Sequence, residues 1–235
     1  MKKTFLLSCL MLAAMPVMAA YTGHVYVDKN KNGVFDQSEK PLAGIKVSDG
    51  LNVVETAADG SFTLPGHERE RFIFITTPSG YKTFNRHYHK IEKKQSGYDF
   101  DLIPYSGRIR KDGSHRYIHI TDTEIFNTEN HADWVNNVHD YARNEQAAFI
   151  IHTGDICYEK GLKAHIKLMN TENMDCPVFY CIGNHDLVKG KYGEELFESI
   201  YGPVYYSFDA GNVHYVVTPM PGGDHAPGYT SDDVC

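Results

Sequence analysis

The stretch VFYCIGNHD, residues 178–186, decides how this chain is read. Five apolar or aromatic residues run into Gly183 and then into Asn184, His185 and Asp186, three side chains that carry lone pairs. A short apolar run ending in such a cluster predicts a buried strand that delivers chemistry at its carboxyl end. Two earlier stretches have the same form: IHITDTE at 118–124 and IIHTGD at 150–155. Between them Trp134, Val135, Val138, Tyr141 and Ala142 recur at helical spacing, predicting one buried helix face. Strands are expected at 117–121, 149–153, 178–182, 205–208 and 213–218. Strands alternating with helical segments are an α/β signature.

Upstream the period changes. Short alternating runs at 24–27, 45–47, 53–56, 61–64, 72–76 and 98–102 predict strands. The pairs Asp49-Gly50 and Asp59-Gly60 suit hairpin turns. This half is expected to be an all-β sandwich, immunoglobulin-like or prealbumin-like, over 21–105. A polar link at 106–114 separates it from an α/β region over 115–235. Residues 231–235 resemble the opening of a further helix, with Ser231 as its N-cap.

The first twenty residues place Lys2 and Lys3 before an apolar run that ends in small residues, the pattern of a cleaved secretory signal. An exported protein is expected, periplasmic or at the cell surface or beyond it. A lipid anchor on Cys9 is the weaker reading, because most of the apolar run follows that residue. No later stretch approaches the ~20 apolar residues of a transmembrane helix. Hydrophobic residues make up 42% of the 235, enough for a sizeable core. The net charge of −7, more acidic once Lys2 and Lys3 are removed, argues against nucleic-acid binding. Beyond the signal stand Cys157, Cys176, Cys181 and Cys235, too few for a disulfide scaffold and without the C-x-x-C spacing of a redox site.

The segment 28–39, DKNKNGVFDQSE, fits the calcium-loop pattern D-x-[DN]-x-[DN]-G-x5-E at every specified position. Asp28, Asn30, Asn32, the carbonyl of Val34, Asp36 and Glu39 would supply the oxygens, and Gly33 the sharp turn. The flanks are strand-like rather than helical, so a structural calcium site and a solvated polar turn are both open readings.

The three strand-end motifs bring Asp122, Asp155, Asn184 and His185 toward one rim, a donor set suited to Mn²⁺, Fe, Zn²⁺ or Mg²⁺. The ordered set D-x-E, GD and GNHD resembles the calcineurin-like metallophosphoesterase family, in particular exported bacterial members with a β-sandwich ahead of the catalytic domain. The resemblance implies a four-layer α/β/β/α sandwich, two divalent metal ions and a phosphate-ester substrate. It implies that Asp122 serves the first metal, with Glu124 as a candidate second ligand to it, that Asp155 bridges both and that Asn184 binds the second. His185 would act on the phosphate or leaving group, with Asp186 orienting its imidazole. His214 lies within a strand pattern and is read as structural.

Two departures from the family pattern stand out. Glu124 occupies the place of a usual histidine, either as a substitute ligand or turned away. The family's lone His and later G-H-x-H motif have no counterpart in the chain, and His225 falls where variable insertions occur. The chain is therefore expected to be incomplete at its C-terminal end and to hold its ions weakly. The alternative is a catalytically impaired fragment or pseudoenzyme, acting as a calcium-stabilised surface or binding module.

Overall fold

The computed structural model describes residues 20–219, apart from 68, 107, 157 and 189–192. The signal segment up to residue 19, Cys157, His225, Ser231 and Cys235 lie outside the described residues.

Nine strands come first: β1 (Ala20–Val27), β2 (Lys40–Pro41), β3 (Lys46–Ser48), β4 (Val53–Glu55), β5 (Ser61–Pro65), β6 (Phe72–Ile75), β7 (Tyr81–Thr83), β8 (Tyr88–Lys90) and β9 (Phe100–Pro104). They form two sheets, β2-β1-β9-β7 with β5 on β1, and β4-β3-β6-β8. Val25, Leu64, Phe100 and Leu102 of the first sheet pack on Val47, Ile73 and Ile75 of the second, all buried. This is the expected sandwich. The strands β2, β7 and β8 are too short to show a period of two, and the sequence reading missed them.

The two turn pairs behave differently. Asp49-Gly50 joins β3 to β4, which pair antiparallel as expected. Asp59-Gly60 joins β4 to β5, which lie in different sheets, so it makes a crossover rather than a hairpin. The turn itself is tight, with Gly60 N–H on Ala57 O. A turn dipeptide specifies a local reversal; whether the strands then pair depends on which core each strand's buried face joins.

The second region contains β10 (Tyr117–Ile120), α1 (Ala132–Asn144), β11 (Phe149–His152), α2 (Tyr158–Leu168), β12 (Val178–Tyr180), a 3₁₀ turn (Asn184–Asp186), α3 (Glu195–Tyr201) and the hairpin β13 (Tyr206–Ala210) with β14 (Val213–Val217). The strands β10-β11-β12 form a parallel sheet with β11 central. Side-chain alternation divides its two faces. Ile150 and Val178 face α1 and α2, whereas Phe149 and Phe179 face the hairpin. On α1 the buried residues are Val135 and Ala142, with Val138 partly buried; Trp134 is 38% and Tyr141 59% exposed. The expected five-residue stripe therefore narrows to three. At ~100° per residue, Trp134 and Tyr141 sit roughly 100–120° from the Val135–Ala142 line and face outward.

The strand β6 joins the two regions. Its sequence FIFI is buried throughout. Ile73 and Ile75 enter the sandwich core, and Phe72 and Phe74 pack with Tyr88 against Phe149, Phe179 and Phe208. A strand buried on both faces reads as a continuous apolar run. Thr76 Oγ1 lies 2.8 Å from Ser207 Oγ, Asp209 N–H donates to Thr77 O, and Arg71 pairs with Glu194 at 2.6 Å, so polar contacts flank the apolar seam.

One side of β12 is completed by a phenol rather than a strand. The Tyr206 hydroxyl accepts from Tyr180 N–H and donates to Tyr180 O, both at 2.8 Å. Phe179 and Phe208 stack beside it, with ring centroids 3.6 Å apart. That closure holds the strand whose continuation carries Asn184 and His185. Among the described residues no helix is long and apolar enough to cross a membrane.

Candidate metal centre

All three motifs leave the sheet on the same rim, because parallel strands place their carboxyl ends together. Strand pairing stops at Ile120, His152 and Tyr180, and the residues beyond turn into loops. Backbone bonds then cross-tie those loops. Asp122 N–H donates to Gly154 O at 3.1 Å and Glu124 N–H to Asp155 O at 3.3 Å. His185 N–H donates to Asp155 Oδ1 at 3.0 Å. Asp186, fully buried, accepts Gly183 N–H on Oδ2 at 3.0 Å and closes the GNHD turn.

The second and third loops meet at two glycines. A Cβ on Gly154 would lie 2.3 Å from Gly183 N, and one on Gly183 would lie 2.2 Å from both Asp155 N and Asp155 Oδ1. Only hydrogen fits at either position. Asp122, Asp155 and Glu124 all adopt positive φ, at 52°, 53° and 46°. Left-handed backbone at a non-glycine residue costs on the order of 1–2 kcal/mol, and such strain clusters at functional sites. Three of the chain's positive-φ residues other than glycine fall on this one rim.

Asp155, Asn184 and His185 are half-buried, whereas Asp122 and Glu124 are exposed. Asp122 Oδ2 accepts the Thr121 hydroxyl at 2.5 Å. The His185 ring lies parallel to that of Tyr158, with centroids 6.0 Å apart. Oxygens of Asp122, Glu124 and Asp155 do not all come within 4.8 Å of one another; among the described residues only Asp49, His67 and Glu70 form such a group. The structure thus joins Asp155 directly to the GNHD turn and bonds the Asp122–Glu124 loop to Gly154 and Asp155 through backbone N–H groups. The donors are carboxylates and an amide, oxygen chemistry that fits hard divalent cations.

Sequence reasoning missed the group beneath the rim. His152, fully buried, accepts Gly154 N–H on Nδ1 at 3.2 Å, and its Nε2 lies 3.0 Å from Thr123 Oγ1. The Nδ1 acceptor role leaves Nε2 as the donor to Thr123, so one ring clamps the first two motif loops. Burial holds His152 down at about 4, against the opposing pull of Asp122. Behind it His165, also buried, bonds the Tyr201 hydroxyl through Nδ1 at 2.9 Å. A histidine inside the apolar run FIIH was the available signal.

Outside the rim, His214 is exposed and pairs with Asp209 across the hairpin at 2.7 Å, a surface contact. Cys176 and Cys181 are free thiols, and burial pushes both up to about 11, which keeps them protonated at neutral pH. In the loop 28–39, Asp28 is 1% exposed and its carboxylate gathers the N–H groups of Lys31, Asn32 and Gly33. Glu39, also buried, closes the loop by accepting Lys29 and Asp36 N–H. Asp36 accepts both Asn30 and Asn32 side-chain amides, and the Val34 side chain is exposed.

Comparison with known families follows the same division of the chain. The model described as the N terminal of calcineurin-like phosphoesterase matches residues 29–104, and that of calcineurin-like phosphoesterase itself matches residues 115–231. No curated protein matches the chain. Sandwich, parallel sheet, rim and both family models agree, and the chain belongs to the calcineurin-like phosphoesterase family.

Proposed function

We propose that this chain is an exported hydrolase of phosphate mono- or diesters, with Asp122, Glu124, Asp155 and Asn184 as metal ligands. The observation that carries the reading is the cross-tied rim. Asp155 is anchored by His185 N–H, and two glycines hold its loop against the GNHD turn with no room for a side chain. Divalent ions of the family's kind supply Lewis acidity and lower the pKa of bound water. The chain's own residues do the rest. With one Asp155 oxygen held by His185 N–H, the other stays available to a cation. The His185 imidazole, half-buried beside Tyr158, donates a proton to a phosphoryl or leaving-group oxygen. His152 keeps the first two loops in register by bonding both.

Residues 1–20 support export, and the rim's exposure supports substrates that approach from solvent. The test uses p-nitrophenyl phosphate and bis-p-nitrophenyl phosphate with Mn²⁺, Zn²⁺ or Mg²⁺. Asp155→Asn is expected to remove most bound metal and hydrolysis. His185→Ala is expected to keep the metal and slow turnover by roughly 10²–10⁴. Metal-stimulated hydrolysis that survives Asp155→Asn would overturn the assignment. The spread of the Asp122, Glu124 and Asp155 oxygens favours one second reading, a scaffold that binds without hydrolysing. Absence of metal-stimulated turnover of both esters by the unmodified chain would select it.

The loop 28–39 is proposed as a structural Ca²⁺ site. Asp28, Glu39 and Asp101 are all buried, and none pairs with a Lys or Arg among the described residues. Burial first, then the charge of Asp28, pushes Asp101 up. A calcium-dependent rise in unfolding temperature that Glu39→Ala removes would support this site; an unchanged midpoint on chelation would refute it.

A further inference from the structure

The strongest unassigned cluster lies in the sandwich, away from the rim. Asp49 stands in the β3–β4 turn, and His67 and Glu70 stand in the β5–β6 connection. One ligand atom from each falls within 4.8 Å of the others. The Asp49 side chain is completely buried, while that of His67 is 14% exposed. His67 Nε2 is sealed from solvent and has no hydrogen-bond partner. It sits 3.5 Å from Asp49 Oδ1, outside hydrogen-bonding geometry. A buried imidazole nitrogen without a partner is expensive, and here the Asp49 carboxylate is beside it.

The remaining valences of those carboxylates are already organised. Asp49 accepts Leu51 and Asn52 N–H on Oδ1 and the Asn52 amide on Oδ2. Glu70 accepts the Tyr21 hydroxyl and His67 N–H. No Lys or Arg among the described residues pairs with either carboxylate.

We propose that Asp49, His67 and Glu70 bind one first-row divalent cation, Zn²⁺ in preference to Ca²⁺ or Mg²⁺, as a staple within the sandwich. Bonds of ~2.0–2.2 Å in a tetrahedral site place neighbouring donors about 3.4 Å apart; His67 Nε2 and Asp49 Oδ1 are 3.5 Å apart, and the three ligand atoms lie within 4.8 Å of one another. An imidazole donor selects against the hard alkaline-earth ions. Ligation through Nε2 puts the ring proton on Nδ1, so the 3.2 Å contact from Arg69 N–H to Nδ1 is given up. The cost is one exposed hydrogen bond. The bound ion would pin the β3–β4 turn to the β5–β6 connection, with β1 attached through Tyr21. His67 also lines a cavity of about 680 Å³ between the sandwich and the hairpin.

This inference does not rest on the hydrolase reading, and its test is kept apart from it by working in the Asp155→Asn chain. Zn²⁺ content is measured after gel filtration, and the unfolding midpoint is followed with and without Zn²⁺. The expected result is retention of one Zn²⁺ and a midpoint raised by on the order of 5 °C at about a hundredfold excess over Kd. Adding His67→Gln, and separately Glu70→Gln, should abolish both effects and leave the zinc-free midpoint nearly unchanged. Zn²⁺ retention in either the His67→Gln or the Glu70→Gln variant equal to that of the parent Asp155→Asn chain, or no zinc-dependent shift in that parent, would overturn the proposal.

Discussion

Gly183→Ala isolates the contact on which the rim depends. Gly183 has φ −102° and ψ 173°, extended backbone that alanine adopts freely, so the substitution carries no conformational penalty. The added methyl would instead lie 2.2 Å from Asp155 Oδ1 and 2.2 Å from Asp155 N. Asp155 has to move, which breaks the 3.0 Å bond from His185 N–H. A hydrogen bond to a charged group contributes about 1.5–3 kcal/mol, and overpacking of this kind costs about 1–3 kcal/mol. The two overlap, so a loss of roughly 2–4 kcal/mol is expected in urea unfolding. Metal affinity should fall with it, because Asp155 is the proposed bridge. Gly80→Ala is the control: its Cβ meets nothing within 4 Å, but its φ of 86° is unfavourable for alanine. It should cost about 1–2 kcal/mol and leave metal binding intact. Metal affinity unchanged in Gly183→Ala, with stability within 0.5 kcal/mol of the unmodified chain, would refute the account of the rim.

Tyr206→Phe keeps the ring and removes the hydroxyl that serves both Tyr180 N–H and Tyr180 O. Two part-buried backbone groups lose their partner, at about 1–3 kcal/mol each, and calorimetry should show a midpoint lower by roughly 4–10 °C. A drop under 2 °C would mean that solvent or another group replaces the phenol. His87 supplies a pH test: burial, with a smaller contribution from Arg86, holds it down at about 4 from an ordinary 6.5, and its ring faces Tyr88 and Tyr206. The unfolded chain takes up a proton as pH falls through 6.5 while the folded chain does not, so stability falls from 6.5 to about 4 and then levels. Between pH 7 and 5 the unmodified chain should lose about 2 kcal/mol more than His87→Phe; parallel profiles would rule this out.

The three strand-end motifs were legible in the chain because each is local. An apolar run followed by Gly-Asn-His-Asp or Gly-Asp is complete within nine residues, and parallel pairing then brings such ends to one rim whatever lies between them. The clamp made by His152 was not legible, since its partners at Thr123 and Gly154 are identified only once strand ends are placed side by side. For the same reason the bond from Glu124 N–H to Asp155 O is seen only in the structure.

Period and motif alone determined that a β-sandwich precedes an α/β region and that three strands end in polar clusters. Those properties follow from side-chain alternation and from spacing within one element, both written along the chain. Tertiary structure decided the rest. The run FIFI does not say that Ile73 and Ile75 face the sandwich while Phe72 and Phe74 seal it to Phe149 and Phe208. Asp59-Gly60 does not say that its strands part into different sheets. Nor does anything local place Asp49 beside His67 and Glu70. Each depends on which distant surface covers a given face, a choice made by burial over the whole chain rather than by any neighbourhood within it.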